Sequence, residues 1–467
     1  MERAATTFVI STCLSFAVVG SADETHDRVD ATFADIDRTD SPGAAVAVVQ
    51  GTDVLYLRGY GMANLEHGVP VTPDTVFDIA SISKQFGAMT AILLEQDGLI
   101  DFDDDVRAHV PELYDFGETV TIRHLIHHTS GIRDWPHLMM VAGVDFGDVI
   151  SFEKIKRMLF RQRALNFPPG SEYAYSNTAY NLMAEIVARV SNASFREVAS
   201  ERIFAPLYMT DTFFADDHQE IVARRAASYE PDGDGGFDNS MNQLTALASS
   251  SLHTTITDFT RWMVNFHTKR VGGEAGLAQL RERGTLTDGT SIPYAFGIVH
   301  GEYRGEVTLS HGGSWRGFRT RFVRFPDHDF SVAVFANFST SDPLARAERV
   351  ADIYLADVLG ARTASPDPPA EAAPFDVSAG ELARFAGTYY SFELDTTYEI
   401  RASDDGLVAD HFRNESVSLT PVGPNEFEGD AWWFANVVFI RDDRGVVMAL
   451  EVNGDRVRNL RFSRRGD

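Results

Sequence analysis

FDIASISKQFGAMTAILL, residues 77–94, reads as a helix that the rest of the fold must cover. Ile82, Phe86, Met89 and Leu93 recur at i, i+4, i+7 and i+11, which makes one apolar stripe. Among the polar side chains near its start are Ser81 and, three residues on, Lys84. A helix advances about 100° per residue, so the two lie about 60° apart and one turn apart, and their ends can meet. Lysine is scarce in this chain: among 467 residues only Lys84, Lys154, Lys156 and Lys269 occur. A serine hydroxyl attacks well only when a base takes its proton, and a lysine amine takes one only when uncharged. Burial favours the uncharged amine. Backbone N–H groups at a helix start near Ser81 face developing negative charge. The plain reading of the pair is a surface lysine three residues after a serine.

Two later stretches carry chemistry of a matching kind. In PPGSEYAYSNTAYNLMAEIVARV (168–190), Tyr175 and Asn177 precede a helical face and point to one side if extended. They offer a phenol for proton transfer and an amide to hold a carbonyl or the lysine. Their plain reading is a packed tyrosine and a helix cap. In LSHGGSWRGF (309–318), His311, Gly312 and Gly313 end a strand with little bulk, which leaves room for a substrate backbone along its edge. The N–H of Ser314 would then face that of Ser81 across an oxyanion. A glycine bulge beside a surface histidine is the plain alternative.

Taken together and in this order, SISK, YSN and HGG resemble the S-x-x-K, Y-x-N and K/H-x-G motifs of the serine beta-lactamase and penicillin-binding-protein superfamily, in its class C-like branch. Further pieces are similar, among them TPDTVFDIASISK (72–84), TIRHLIHHTSGI (121–132), ERIFAPLYMTDTFF (201–214) and LHTTITDFTRWM (252–263), so the likeness spans about 40–360. That branch includes D,D-carboxypeptidases, D-aminopeptidases and promiscuous esterases. The resemblance implies Ser81 as acylated nucleophile, Lys84 as its base and Tyr175 as proton carrier to the leaving group. It implies Asn177, His311, Gly313 and Ser314 as substrate-binding residues, and neither metal nor cofactor. Class C beta-lactamases usually carry lysine where this chain has His311, which lowers the expectation of efficient beta-lactam hydrolysis and tilts it to a D-amino-acid peptidase. Arg316 or Arg319 is the expected stand-in for the missing charge. SSSL (249–252), where the family often has glycines, is expected to reshape one rim of the cleft. The alternatives are a small-acyl esterase, a weak beta-lactamase, or a silent relative that binds peptidoglycan-like peptides.

Outward from the motifs, GAAVAVVQ (43–50) and DVLYLRGYG (53–61) read as two strands, and 307–339 as three more before a helix at 342–360. Strands from both ends with helices inserted between them give an α+β domain: an antiparallel sheet flanked by helices, with a helical domain alongside. Residues 361–376 are rich in Pro and Ala and read as a linker. From 377 to 467 the pattern is all-β, about eight short strands between Asp-, Asn- and Gly-bearing turns, which predicts a small lipocalin-like barrel. Trp432 and Trp433 within it are expected to point one outward and one inward.

The net charge of −27 weighs against nucleic acid and anionic membranes as partners, leaving a small peptide, ester or beta-lactam as the expected one. Residues 1–22 combine an Arg-bearing start, an apolar run and a small-residue end, so they read as a signal peptide and the mature chain as secreted or periplasmic. The single cysteine, Cys13, lies inside that segment, which leaves the domain at 23–360 without thiol chemistry. His124, His127 and His128 diverge on a helix and are expected to be structural rather than metal ligands. DFG at 115–117 and 145–147 lacks any kinase context, and DFDDD (101–105) lacks calcium-loop spacing.

Overall fold

The computed structural model describes residues 22–361 and 375–466. The signal-peptide reading therefore falls outside the described residues, save Ala22, which opens a helix, and most of the linker does too.

The helix α1 (Ala22–Ala31) leads into β1 (Ala44–Gln50) and β2 (Asp53–Tyr60). Helices α2 (Ser83–Gln96), α3 (Trp135–Val141), α4 (Asn177–Ser191) and α5 (Ile256–Thr268) follow. The chain then returns to the sheet through β3 (Val299–Tyr303), β4 (Glu306–Trp315), β5 (Phe318–Phe325) and β6 (Phe330–Ala336), and ends this domain with α6 (Pro343–Tyr354). All neighbours pair antiparallel, in the order β3-β4-β5-β6-β1-β2. The unbroken apolar run of β1 has a simple cause: both faces are covered. Ala45, Ala47 and Val49 join the large core on the side of α2 and α5. Ala44, Val46 and Val48 pack with Val29, Phe33, Val350 and Ala351 from α1 and α6. The strand β3 was not foreseen, since VHGEY at the sheet edge is too polar and exposed to alternate.

The helix α2 is more central than its stripe suggested. Every residue from Ser83 to Leu94 is buried, so it is covered all round. The reason is its place, between the sheet and the helical domain, where Phe86 packs on Phe204, Phe259 and Trp262. Gly87 has no room for a Cβ, which would lie 2.8 Å from that of Ala248.

The C-terminal region forms a closed eight-stranded antiparallel barrel, β7 (Gly387–Ser391), β8 (Thr396–Ala402), β9 (Leu407–Asp410), β10 (Val417–Pro421), β11 (Glu426–Gly429), β12 (Asn436–Arg441), β13 (Val447–Asn453) and β14 (Leu460–Arg464), with β14 closing on β7. Tyr389, Tyr398, Phe427, Phe439, Leu450 and Phe462 share one apolar cluster, and Leu138 and Val141 of α3 belong to it. The barrel is thus docked on the domain that holds the six-stranded sheet. Arg133, fully buried, secures it by donating to the carbonyls of Arg458 (3.0 Å) and Asn459 (2.8 Å) and to Glu393 (2.8 Å). Asn166 grips the same loop through the Arg456 carbonyl and the Arg458 N–H.

Candidate active site

Ser81 sits in a single 3-10 turn (Ala80–Ile82) that runs into α2. Ala80 adopts φ 47°, a left-handed conformation that costs a residue with a Cβ about 1 kcal/mol or more. Neighbours hold it there. Asp78 accepts the Ala80 N–H at 2.8 Å, and Thr320 Oγ1 of β5 donates to the Ile79 carbonyl at 2.9 Å. Gly313 of β4 lies so close that a Cβ would be 2.3 Å from the Ile79 carbonyl oxygen. Its lack of a side chain therefore serves the packing of the sheet on the Ser81 turn, while a Cβ on Gly312 would meet nothing nearer than 3.6 Å; both glycines line the cavity described below. The strand β3 pairs with β4 only as far as Ser310, so His311 to Trp315 are paired on the β5 side alone.

Lys84 is entirely buried. Its Nζ lies 2.7 Å from Asn177 Oδ1, 2.7 Å from the Ser249 carbonyl and 3.3 Å from Ser81 Oγ. Burial drives its pKa well below the ordinary lysine value; Asp134 opposes this and Arg456 adds to it. An uncharged amine has two N–H bonds and one lone pair. The two short contacts go to oxygens that can only accept, which leaves the lone pair for the Ser81 hydroxyl. SSSL thus does more than shape a rim: Ser249 supplies a backbone acceptor to the lysine, and Ala248 and Ser251 make the turn at positive φ.

The cap of α4 is Ser176, whose Oγ accepts the Ala179 N–H, so Asn177 is free of the capping duty assigned to it in the plain reading. Its Nδ2 and backbone N–H both donate to Asp134, at 3.1 and 2.7 Å, which turns its Oδ1 toward Lys84. Tyr175 stacks its ring 4.7 Å from the Lys84 amine, and its buried hydroxyl has no hydrogen-bond partner among the described residues. Burial holds that phenol well above the usual range, with Ser81 beside it acting the other way. His311 is buried as well. Its Nδ1 is 2.6 Å from the Gly312 carbonyl, an acceptor only, so Nδ1 carries the proton and Nε2 accepts from the Tyr294 hydroxyl at 3.1 Å. Burial, with Lys84 nearby, pushes its pKa down to about 3, so the ring is neutral.

A cavity of about 540 Å³ opens above these groups, lined by Ser81, Tyr175, Asn177, His311, Gly313 and Ser314. All the residues singled out from sequence line it except Lys84, which lies beneath. Trp135, Phe146, Leu244, Trp315 and Trp432 give it an apolar wall. Its guanidinium groups are Arg321 and Arg456, not the expected Arg316 or Arg319; Arg319 is spent on the Arg316 and Phe318 carbonyls. Trp432 is exposed and Trp433 buried, as expected, though in a turn rather than a strand. The three histidines have separate settings: His124 completes a capping box with Thr121, His127 packs on Phe296, and His128 accepts the Ser176 N–H. Asp134 and Arg456 escaped the sequence reading because no motif marks them, and Ser249 was read within SSSL as a rim residue and not as a partner of Lys84.

The Beta-lactamase family model matches residues 29–356. This chain belongs to the Beta-lactamase family. Among its relatives, the D-aminopeptidase of Gluconobacter oxydans is 29% identical over 314 residues, covering 67% of this chain and 59% of that protein. The D-amino acid amidase of Ochrobactrum anthropi SV3 superposes with TM-score 0.62 at 22% identity, covering 72% of this chain and 99% of that one. The octameric penicillin-binding protein homologue of Pyrococcus abyssi gives 0.61 at 20% identity, covering 95% and 99%, so its likeness extends over the barrel. The chain spans little more than half the length of the curated relatives it matches.

Proposed function

We propose that the protein is a serine hydrolase that cleaves an amide of a D-amino acid or short D-peptide through an acyl-enzyme on Ser81. The observation that carries this is the buried Lys84 amine, held by two acceptors with the Ser81 hydroxyl at 3.3 Å. Lys84 takes the Ser81 proton as Oγ attacks the carbonyl carbon. The N–H groups of Ser81 and Ser314 receive the oxyanion, and Asn177 and the β4 edge orient the substrate. Tyr175, kept a neutral phenol by burial, passes its proton to the departing amine and regains one by way of Lys84. Water then attacks the acyl-enzyme by the same proton path in reverse, releasing the acid.

The D-aminopeptidase relatives support the D-amino-acid class. A neutral His311 supplies no charge for a carboxylate, so any positive partner for one in this cavity is Arg321 or Arg456. The aromatic wall suits an apolar side chain or acyl group. We place the protein outside the cytoplasm on the reading of residues 1–22. Side-by-side assay on D-alanine p-nitroanilide, D-alanyl-D-alanine, p-nitrophenyl butyrate and nitrocefin tests the assignment. The highest kcat/KM is expected on the D-alanine anilide; an ester-only profile would replace the peptidase reading with an esterase.

A further inference from the structure

The barrel reaches into the catalytic centre at one point. The loop between β13 and β14 projects Arg456 toward Asp134, with its Nη1 3.3 Å from Asp134 Oδ2. The backbone of that residue is fixed, since its carbonyl accepts the Asp134 N–H at 3.1 Å and the Asn166 side chain at 3.0 Å. Asp134 has a side chain only 1% exposed, and its other contacts are the two Asn177 donors. Arg456, Asp134, Asn177 and Lys84 therefore form one chain, with the Arg456 guanidinium and the Lys84 amine at 4.8 and 4.7 Å from the same Tyr175 ring.

Charge balance gives this chain a meaning. The groups packed round Lys84 are Ser81, Tyr175, Asn177, Tyr180, the Ser249 carbonyl, His128, His311, Asp134 and Arg456. His128 and His311 are held neutral by burial, the tyrosines likewise, and Arg321 lies beyond His311. A carboxylate and a guanidinium are left. A buried carboxylate needs one positive partner. If the only one were Lys84, the amine would stay protonated and have no lone pair for Ser81.

We propose that Arg456 is a positioning residue that serves as the counter-ion of Asp134, so that Asp134 stays charged and holds Asn177 while Lys84 remains free to accept the Ser81 proton. The barrel thereby completes the catalytic machinery of the neighbouring domain. The inference rests on the nucleophile and base assigned above.

The test is the rate of covalent labelling by a fluorophosphonate, a reagent without a carboxylate, followed across pH 5 to 10 in the full chain. Arg456→Gln is expected to move the rising limb of the rate to higher pH by about one unit or more, with about tenfold slower labelling at pH 7 and recovery at alkaline pH. Recovery shows that the variant is folded. Arg456→Lys keeps the charge and should keep most of the wild-type profile. In an Asp134→Asn background, Arg456→Gln should move the limb by much less, since only the direct repulsion between Arg456 and Lys84 is then removed. An unchanged limb in Arg456→Gln overturns the inference while leaving the nucleophile in place, even if KM for acidic substrates rises, since that would make Arg456 a substrate anchor. A wild-type chain that takes no label at any pH overturns the nucleophile assignment itself.

Discussion

Lys84 is the residue on which the chemistry turns, and its identity is constrained by its proton rather than by its length. A guanidinium in its place stays charged at any working pH, so it cannot act as a base. Lys84→Arg and Lys84→Met are both expected to lower kcat by about a thousandfold or more, without matching changes in KM, as steady-state kinetics would show. A kcat within tenfold of wild type in either variant would mean that another group deprotonates Ser81. His311 makes a contrasting case. Since its pKa is pushed down to about 3, it carries no charge above about pH 5 and adds no limb to the rate profile at neutral pH. This residue-scale pattern was legible in SISK, YSN and HGG because each motif is local. What was not legible is how the groups are tuned: Asp134 and Ser249 reach Lys84 only after folding has brought distant loops together.

At the scale of elements, the nucleophile turn depends on how closely β4 and β5 press on it. A methyl group at residue 313 has no space beside the Ile79 carbonyl, whereas one at 312 does. Gly313→Ala is expected to cost about 1–3 kcal/mol and to slow labelling of Ser81, while Gly312→Ala leaves stability nearly unchanged. Denaturant unfolding of the two variants checks this, and equal midpoints would contradict it. The strands β1 and β6 were readable from their apolar runs, and β4 and β5 from the Gly and Pro-Asp turns that bound them. The edge strand β3 was not, because half-exposed VHGEY carries no burial pattern. The helix α2 starts later than the reading of 77–94, because Val76–Asp78 is a strand paired with residues 253–255 and Ala80–Ile82 a 3-10 turn, and its full burial follows from its position between two layers and not from its own periodicity. The packing duty of Gly313 was not legible for a related cause: a sequence shows that bulk is absent, not which neighbour needs the room.

For the whole molecule, the barrel is docked by a buried arginine and a buried histidine. Arg133→Ala leaves two loop carbonyls without this donor and the Glu393 carboxylate with the Arg163 N–H but no cation, at a cost of about 3–5 kcal/mol. The expected result is a lower melting temperature and protease cleavage near the domain boundary; an unchanged melt would mean the docking rests on the α3 contacts alone. His137 of α3 donates from Nε2 to the Trp433 carbonyl, and burial pushes its pKa down to about 4. In the unfolded chain it protonates near its ordinary value, about 6.5. Its stabilising share is therefore complete above that pH and is lost as pH falls toward 4, and His127, also near 4, behaves alike. Melting temperature measured from pH 8 down to 4 should fall over this window, and less in a His137→Gln variant. The proposed function rests on one event, proton transfer from Ser81 to an uncharged Lys84. The most direct measurement is intact-protein mass spectrometry after exposure to a fluorophosphonate at pH 8, followed by peptide mapping. One adduct per chain on Ser81, absent in Ser81→Ala and strongly slowed in Lys84→Met, is the expected result; an adduct elsewhere, or undiminished turnover by Ser81→Ala, would contradict it.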